Sequence, residues 1–362
     1  MAAFSIPPEF QAHIARMTGY VPGEQPRDGG YTRLNTNENA YPPSPRVIEA
    51  ISRALGDSLR LYPDPLATEL RQAAAEMHGV DPACILAGNG SDDLLTILTR
   101  AFVGPGDALI SPTPSYVLYR TLAELQNARY AEIPFEPDWS LDIDAFARHA
   151  ESVNARLAFL ANPNSPSGTM LGAEHVAALA QRLSCVLVVD EAYADFANGH
   201  CVGLVGRLPN VVVLRTLSKG YGLAGLRVGY LVASPRIVEG LIKVKDSYNC
   251  DRLSIVGAAA ALRDQAYLAE TVAKVRNTRA RMIDRLARAG YTVAESQANF
   301  AWCQGGPPAP RVYEALRARR ILVRLMRYPG LEPGLRITVG TDEEVDRMLA
   351  ALDEILAGSA RR

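Results

Sequence analysis

Apolar and polar positions change texture along the chain. From residue 46 to about residue 264, short β-branched or apolar runs recur at 84–87, 108–111, 128–133, 157–161, 186–190, 211–214 and 228–233. Between most of them lies a stretch long enough for a helix, such as 92–101, 174–183 and 236–245. Runs so short and so uniformly apolar suit strands covered on both faces, and the alternation predicts a mostly parallel seven-stranded sheet wrapped by helices. After Asp264 a long Arg- and Ala-rich amphipathic helix runs to about Ala289, followed by runs at 291–293, 300–303, 321–323 and 335–339 and a last helix over 342–357. Here strands and helices are grouped rather than wound, which predicts a smaller α+β domain. Residues 6–45 are rich in Pro, Gly and Asn, show little periodicity and read as an extended arm. The expected division is an arm at 1–45, which needs a surface to lie on, a large domain at 46–264 and a small domain at 265–362.

Length and composition agree with two domains. The 362 residues exceed what one hydrophobic core usually spans, and 48% apolar with 21% charged residues is ordinary globular usage. Thirty-eight Lys and Arg against 39 Asp and Glu leave a net charge of −1. There is thus no general electrostatic footprint for nucleic acid or an anionic membrane, and any anion site is local. Cys84, Cys185, Cys201, Cys250 and Cys303 are odd in number with no C-x-x-C spacing, as for small apolar side chains in a reducing compartment. With no run of about 18 apolar residues and no basic start ahead of an apolar stretch, the chain reads as soluble and cytoplasmic. The five histidines show no metal spacing, so no metal site is expected. Asp142 and Asp144 read as capping residues, and the charge over 276–288 reads as the solvated face of a helix.

In open α/β sheets ligands bind beyond the carboxyl ends of strands, and four such places carry chemistry. Gly88-Asn89-Gly90-Ser91-Asp92-Asp93 ends one run and opens a helix, where unpaired amides suit a phosphate; it is also readable as a turn capped by Ser91 or Asp92. Asp190-Glu191-Ala192-Tyr193 puts an acid at the end of an apolar strand, able to stabilise a buried cation or to cap a helix. Ser218-Lys219-Gly220 closes the run 211–214, with Gly222, Gly225, Arg227 and Gly229 following. A lysine there can be a desolvated amine able to form an imine with an aldehyde, and Ser218 and Arg227 suit one phosphate. Asn162-Pro163-Asn164-Ser165-Pro166 fixes short polar side chains at a defined spot, or is turn chemistry alone.

In order, these segments resemble the fold-type I pyridoxal-phosphate aminotransferases, and more narrowly the histidinol-phosphate aminotransferase family. The resemblance starts at Asn37-Glu38-Asn39 and Pro42 to Pro45 in the arm. It continues through Leu61-Tyr62-Pro63-Asp64 and Gly90-Ser91-Asp92-Asp93, and ends at Gly334-Leu335-Arg336-Ile337-Thr338-Val339-Gly340. Its most specific part is Thr216-Leu217-Ser218-Lys219 followed by Ala224-Gly225-Leu226-Arg227, with lysine and arginine eight residues apart.

The resemblance implies a role for each residue. Lys219 would carry pyridoxal phosphate covalently and then move a proton as general base and acid. Asp190 would pair with the ring nitrogen, Tyr193 would hydrogen-bond the phenolic oxygen with help from Asn164, and Tyr116 would stack on the ring. The amides around Ser91 and Asp92, Ser218 and Arg227 would hold the phosphate, with Tyr62 reaching in from a second subunit of a homodimer. Tyr20, Asn39, Arg324 and Arg336 would bind substrate. Where many relatives read Asn-Asn-Pro-Thr-Gly, this chain has Asn164-Ser165-Pro166-Ser167-Gly168; either Ser165 makes a shorter hydrogen bond or Asn164 takes over. The implied reaction converts L-histidinol phosphate and 2-oxoglutarate to imidazole acetol phosphate and L-glutamate, in histidine biosynthesis. The same scaffold could serve an aromatic amino-acid aminotransferase or a phosphothreonine decarboxylase. A cofactor-sensing regulator would need a DNA-binding segment, and the arm contains no helix-turn-helix.

Overall fold

The structure, a computed structural model, describes residues 9–19, 23–26 and 29–359. Its strands are, in chain order, β1 (Thr32–Arg33), β2 (Ile85–Gly88), β3 (Ala108–Thr113), β4 (Arg129–Pro134), β5 (Ala155–Ala161), β6 (Val186–Asp190) and β7 (Val211–Thr216). They continue with β8 (Gly229–Val232), β9 (Thr292–Val293), β10 (Phe300–Gln304), β11 (Ile321–Leu322), β12 (Arg324–Met326) and β13 (Gly334–Thr338).

Seven strands form the large sheet in the order β2-β8-β7-β6-β5-β3-β4, and β8 alone runs against the rest. Because side chains alternate across a strand, one run feeds two cores. Leu187, Val189, Val211 and Val213 pack with the helices Thr68–His78, Ala173–Arg182 and Arg252–Arg263. Val188, Val212 and Leu214 pack with Ser91–Phe102, Leu118–Leu125 and Pro235–Ile242 on the other face. Full burial of each such Val or Leu contributes about 1.5–3 kcal/mol, which is why central strands are apolar throughout. Since β2 and β7 flank the reversed β8, the start of β8 and the ends of β2, β3, β5, β6 and β7 meet at one edge of the sheet.

The carboxyl-terminal part builds an antiparallel sheet in the order β12-β13-β10-β9, packed against Gln265–Arg288, Ala309–Ala318 and Asp342–Ser359. Of the apolar run at 321–323, Ile321 and Leu322 form β11, and β12, which begins just after it at Arg324, belongs to a different sheet. The Arg-rich helix buries Val275, Met282 and Leu286, while Arg281 pairs with Asp342 and Asp346, and Arg285 with Asp353, on the last helix. Asp142 caps Ile143–Ser152 by accepting from Ala145 N at 2.9 Å.

The arm is not without regular structure, contrary to expectation. Besides a short helix at Ala12–Arg16, its β1 pairs in parallel with β11, and Leu34 is fully buried in the small-domain core. One apolar side chain among polar neighbours gives no period to read, so tertiary pairing decides the conformation here.

Candidate active site

The loops at the sheet edge, the arm and the small domain enclose a cavity of about 550 Å³. Ser91, Asp92, Tyr116, Ser165, Asp190, Tyr193, Ser218, Lys219, Arg227, Arg324 and Arg336 all line it.

At one end is an anion cup. The helix Ser91–Phe102 begins after Gly90, whose φ of 83° lies in the region that favours glycine and which has no side chain to cap the first amides. The alternative of Ser91 or Asp92 as N-cap is therefore set aside. Arg227 leans over the same turn, with Nη1 donating to Ser218 Oγ at 3.3 Å and Nη2 3.5 Å from Asp92 Oδ2. A Cβ at residue 90 would stand 2.7 Å from Arg227 Nη2, and one at residue 229 would stand 3.0 Å from Ser91 N. Both glycines therefore let guanidinium and amides converge. Helix amides, a hydroxyl and a guanidinium suit a phosphate dianion.

At the other end is a buried acid. Asp190 closes β6; its Oδ2 accepts from Tyr119 Oη at 2.7 Å and its Oδ1 from Ala192 N at 3.1 Å. Burial pushes its carboxyl up to about 6, with the hydrogen bond from Tyr119 opposing the rise. Between the ends stands Lys219, its amine brought down to about 8, first by burial and then by the charge of Arg336. Its Nζ donates to Thr36 O at 3.3 Å and lies 5.9 Å from the centroid of the Tyr193 ring. Tyr193 accepts from Asn37 Nδ2 at 3.0 Å and meets Phe300 edge-on, and burial raises its phenol.

Behind the lysine the chain buries three charges. Arg215 pairs with Glu191 at 3.1 Å and also with Asp195, and all three side chains are at most 7% exposed. A Cβ at residue 220 would collide with the Asp195 carboxylate, so the peptide after Lys219 rests directly on this triad.

The arm and small domain complete the site. Arg336 Nη1 donates to Ser165 Oγ and Nη2 to Asn35 O, each at 3.2 Å. Its Nε is buried with no hydrogen-bond partner among the described residues. Arg324 faces Arg336 across the β12–β13 register. Like charges directly opposite are unfavourable on their own, so this pairing suits an anion lying beside both.

Three expected site residues sit elsewhere. Asn164 does not line the cavity: its amide donates to Pro114 O and Ser167 Oγ and its Oδ1 accepts from Ser115. Its hydrogen bonds go to its own loop and to the loop after β3, Ser165 is the one that faces the cavity, and Asn37 takes the place beside Tyr193. Asn39 does not line the cavity either; its amide donates to the carbonyls of Lys219 and Gly220, each at 2.9 Å, and so fixes the lysine's backbone. Tyr62 is 78% exposed and stacked on Tyr248, outside this chain's own cavity. Tyr20 lies outside the described residues. Sequence reasoning missed Thr36, Asn37, Tyr119, Met326 and Tyr328. Of these only Tyr119 carried a signal, three residues beyond Tyr116, whose carbonyl accepts from its amide as the helix begins.

A family model described as "Aminotransferase class I and II" matches residues 30–352. The chain is 47% identical over 351 residues to a histidinol-phosphate aminotransferase of Rhodopirellula baltica, covering 96% of each chain. It is 46% identical over 352 residues to histidinol-phosphate aminotransferase 1 of a Nostoc species, covering 96% of this chain and 98% of the relative. Among solved structures, the histidinol-phosphate aminotransferase of Sinorhizobium meliloti in complex with pyridoxal-5'-phosphate superposes with a TM-score of 0.90 at 32% identity, over 99% of both chains. With relatives this similar over nearly the whole length, the chain belongs to the class I and II aminotransferases and, within them, to the histidinol-phosphate aminotransferase family.

Proposed function

We propose that this protein is a pyridoxal-phosphate-dependent aminotransferase that moves the amino group of L-histidinol phosphate to 2-oxoglutarate. The products are imidazole acetol phosphate and L-glutamate, and the setting is cytoplasmic histidine biosynthesis. The observation that carries the reading is the gathering of Lys219, Asp190, the anion cup and the facing pair Arg324 and Arg336 around one cavity. The names carried by relatives at 44–47% identity favour it over an aromatic amino-acid aminotransferase or a phosphothreonine decarboxylase.

The donor set fits the cofactor. The cup opened by Gly90 and Gly229 suits the phosphate, the uncompensated carboxylate of Asp190 suits a protonated ring nitrogen, and a lysine with depressed basicity between them suits an aldehyde. The amides at Ser91 and Asp92, the Ser218 hydroxyl and Arg227 would hold the phosphate; Tyr116 would cover the ring face; Tyr193 and Ser165 would flank the phenolic oxygen. When bound, pyridoxal phosphate supplies an electron sink for the pair left by the substrate's Cα–H bond and stores the amino group between half-reactions. Lys219 would then work as base and acid at Nζ, taking the proton from the substrate's Cα and delivering it to the cofactor's C4′, which an amine brought down to about 8 permits near neutral pH. Arg336 and Arg324 orient the anionic ends of donor and acceptor in turn, the unpartnered Nε of Arg336 adding a donor to a bidentate grip. Phe300, in edge-on contact with Tyr193 at 5.0 Å, braces that ring on the cavity wall.

Mixing the cofactor-loaded protein with L-histidinol phosphate, without a keto acid, tests the reading in one turnover. The absorption band of the lysine-bound cofactor should give way to that of the aminated cofactor and return on addition of 2-oxoglutarate. A band that ignores this donor but answers to tyrosine, phenylalanine or phosphothreonine transfers the function to a rival.

The working unit is a homodimer, supported by a run of exposed apolar side chains at Leu55, Leu59, Leu61 and Tyr62, with Tyr248 beside them. Tyr62 then serves the partner's phosphate cup. The arm at 1–45 belongs to both the small domain at 265–362 and that interface, and the domain at 46–264 carries the cofactor. Mixed dimers of Lys219→Ala and Tyr62→Ala subunits should regain activity that neither parent has, since each hybrid contains one intact site. No recovery on mixing, or sedimentation as a monomer, contradicts the shared site.

A further inference from the structure

Three carboxylates are buried between residues 190 and 195, and they are not treated alike. Glu191 and Asp195 share the guanidinium of Arg215. Asp190, 5% exposed, has no ion pair among the described residues and is met by two neutral donors, the Ala192 amide and the Tyr119 hydroxyl. Tyr119 is fully buried. Its ring is held edge-on by Tyr116 at 5.6 Å and against Phe159 at 4.6 Å, so the hydroxyl has a fixed direction. The other groups whose charge reaches this pair are Asp92, beyond Tyr116, and the phenols of Tyr116, Tyr130 and Tyr193; none is a cation. The carboxylate is therefore left for a cation arriving from the cavity, and of the two donors that hold its basicity down against burial, the Tyr119 hydroxyl is the one a side-chain substitution can remove.

We propose that Tyr119 is a positioning residue that acts through Asp190, keeping the proton shared by that carboxylate and the cofactor's ring nitrogen on the nitrogen. The inference rests on the aminotransferase reading above. A hydroxyl that donates to a carboxylate stabilises its charged form and lowers its basicity. Removing the hydroxyl makes Asp190 the stronger base and draws the shared proton toward oxygen, which weakens the ring as an electron sink. The aromatic contact with Tyr116 joins two tasks in one residue: the ring of Tyr119 braces the side chain that lines the cavity, and its hydroxyl orients the acid below it.

The test compares Tyr119→Phe with the wild type, using Asp190→Asn as the reference for an unprotonated ring. In protein loaded with cofactor labelled with nitrogen-15 in its ring, the ring resonance should move from the protonated position toward that of Asp190→Asn. In equilibrium binding to the apo-protein, the preference for pyridoxal phosphate over its analogue with carbon in place of the ring nitrogen should fall by about 10- to 100-fold, the range for loss of a hydrogen bond to a charged group. The analogue's own affinity should hold. As a second variant, Tyr119→3-fluorotyrosine, a stronger donor of nearly the same shape, should lower the Asp190 carboxyl midpoint read by carbon-13 NMR in the apo-protein, where Tyr119→Phe raises it. An unmoved ring resonance, an unmoved carboxyl midpoint, or equal loss of affinity for both compounds would reduce Tyr119 to packing and overturn the proposal. A wild-type apo-protein that binds neither compound would instead overturn the cofactor reading.

Discussion

Replacing Lys219 by alanine should abolish turnover of L-histidinol phosphate, with a loss of at least about 10⁴-fold in kcat, the upper range for a single general acid–base group, because the attachment point goes as well. The cofactor should still be retained without a covalent bond, since the cup of helix amides, Ser218 and Arg227 does not involve the amine. Steady-state rates together with equilibrium dialysis of pyridoxal phosphate decide it, and a Lys219→Ala protein that turns over overturns the assignment. The same lysine predicts a pH signature in the apo-protein. Burial and Arg336 disfavour its cation and bring it down to about 8, so the neutral, nucleophilic form predominates above that value. Labelling of Lys219 by an amine reagent should rise through about pH 8, roughly two units below an ordinary lysine. A rise only near the ordinary value would show that the pocket does not activate it.

Arg215→Met should cost about 3–5 kcal/mol of stability, the usual penalty for breaking a buried ion pair from one side. Methionine fills part of the space but leaves Glu191 and Asp195 buried with no cation. Burial already raises both carboxyls in the intact triad, against the pull of Arg215, and its removal raises them further. A carboxyl whose folded midpoint lies above its unfolded one binds protons more tightly when folded, so stability falls as pH rises between the two midpoints. The deficit of the variant should therefore be larger at pH 8 than at pH 5, as read by urea unfolding. Because Gly220 lies against Asp195, whatever protein folds should also hold Lys219 less firmly. Stability equal to wild type at both pH values contradicts the role given to the triad.

The central strands of the large sheet were legible because burial on both faces leaves its mark on nearly every residue of such a strand. The run 186–190 is β6 residue for residue, and the runs around it fall within a few residues of their strands. The helix Ala309–Ala318 escaped notice because Pro307, Pro308 and Pro310 crowd its start, although proline is tolerated in a first helical turn. In the site, strand-end chemistry located Lys219, Asp190 and Arg227, whose settings are local. What stayed hidden depends on contacts across long separations: Asn37 reaches Tyr193 over 156 residues and Asn39 reaches Lys219 over 180. Asn164 shows the converse, since a side chain that suits a ligand suits its own turn equally well, and only the positions of Pro114 and Ser115 determine which it serves.

The arm has a further consequence for how the protein is made. Leu34 belongs to the small-domain core, and the amide of Asn37 donates to Thr338 Oγ1, 301 residues later in the chain. During synthesis the arm precedes both domains, and β1 must wait for β11, and Asn37 for β13, before those pairings can form. The large domain can close as soon as its own strands are out, whereas the small domain and the arm are completed only after β11 and β13 have followed. Until then the arm that fixes the backbone of Lys219 is a free thread. The nascent chain thus has a formed sheet long before it has a formed active site.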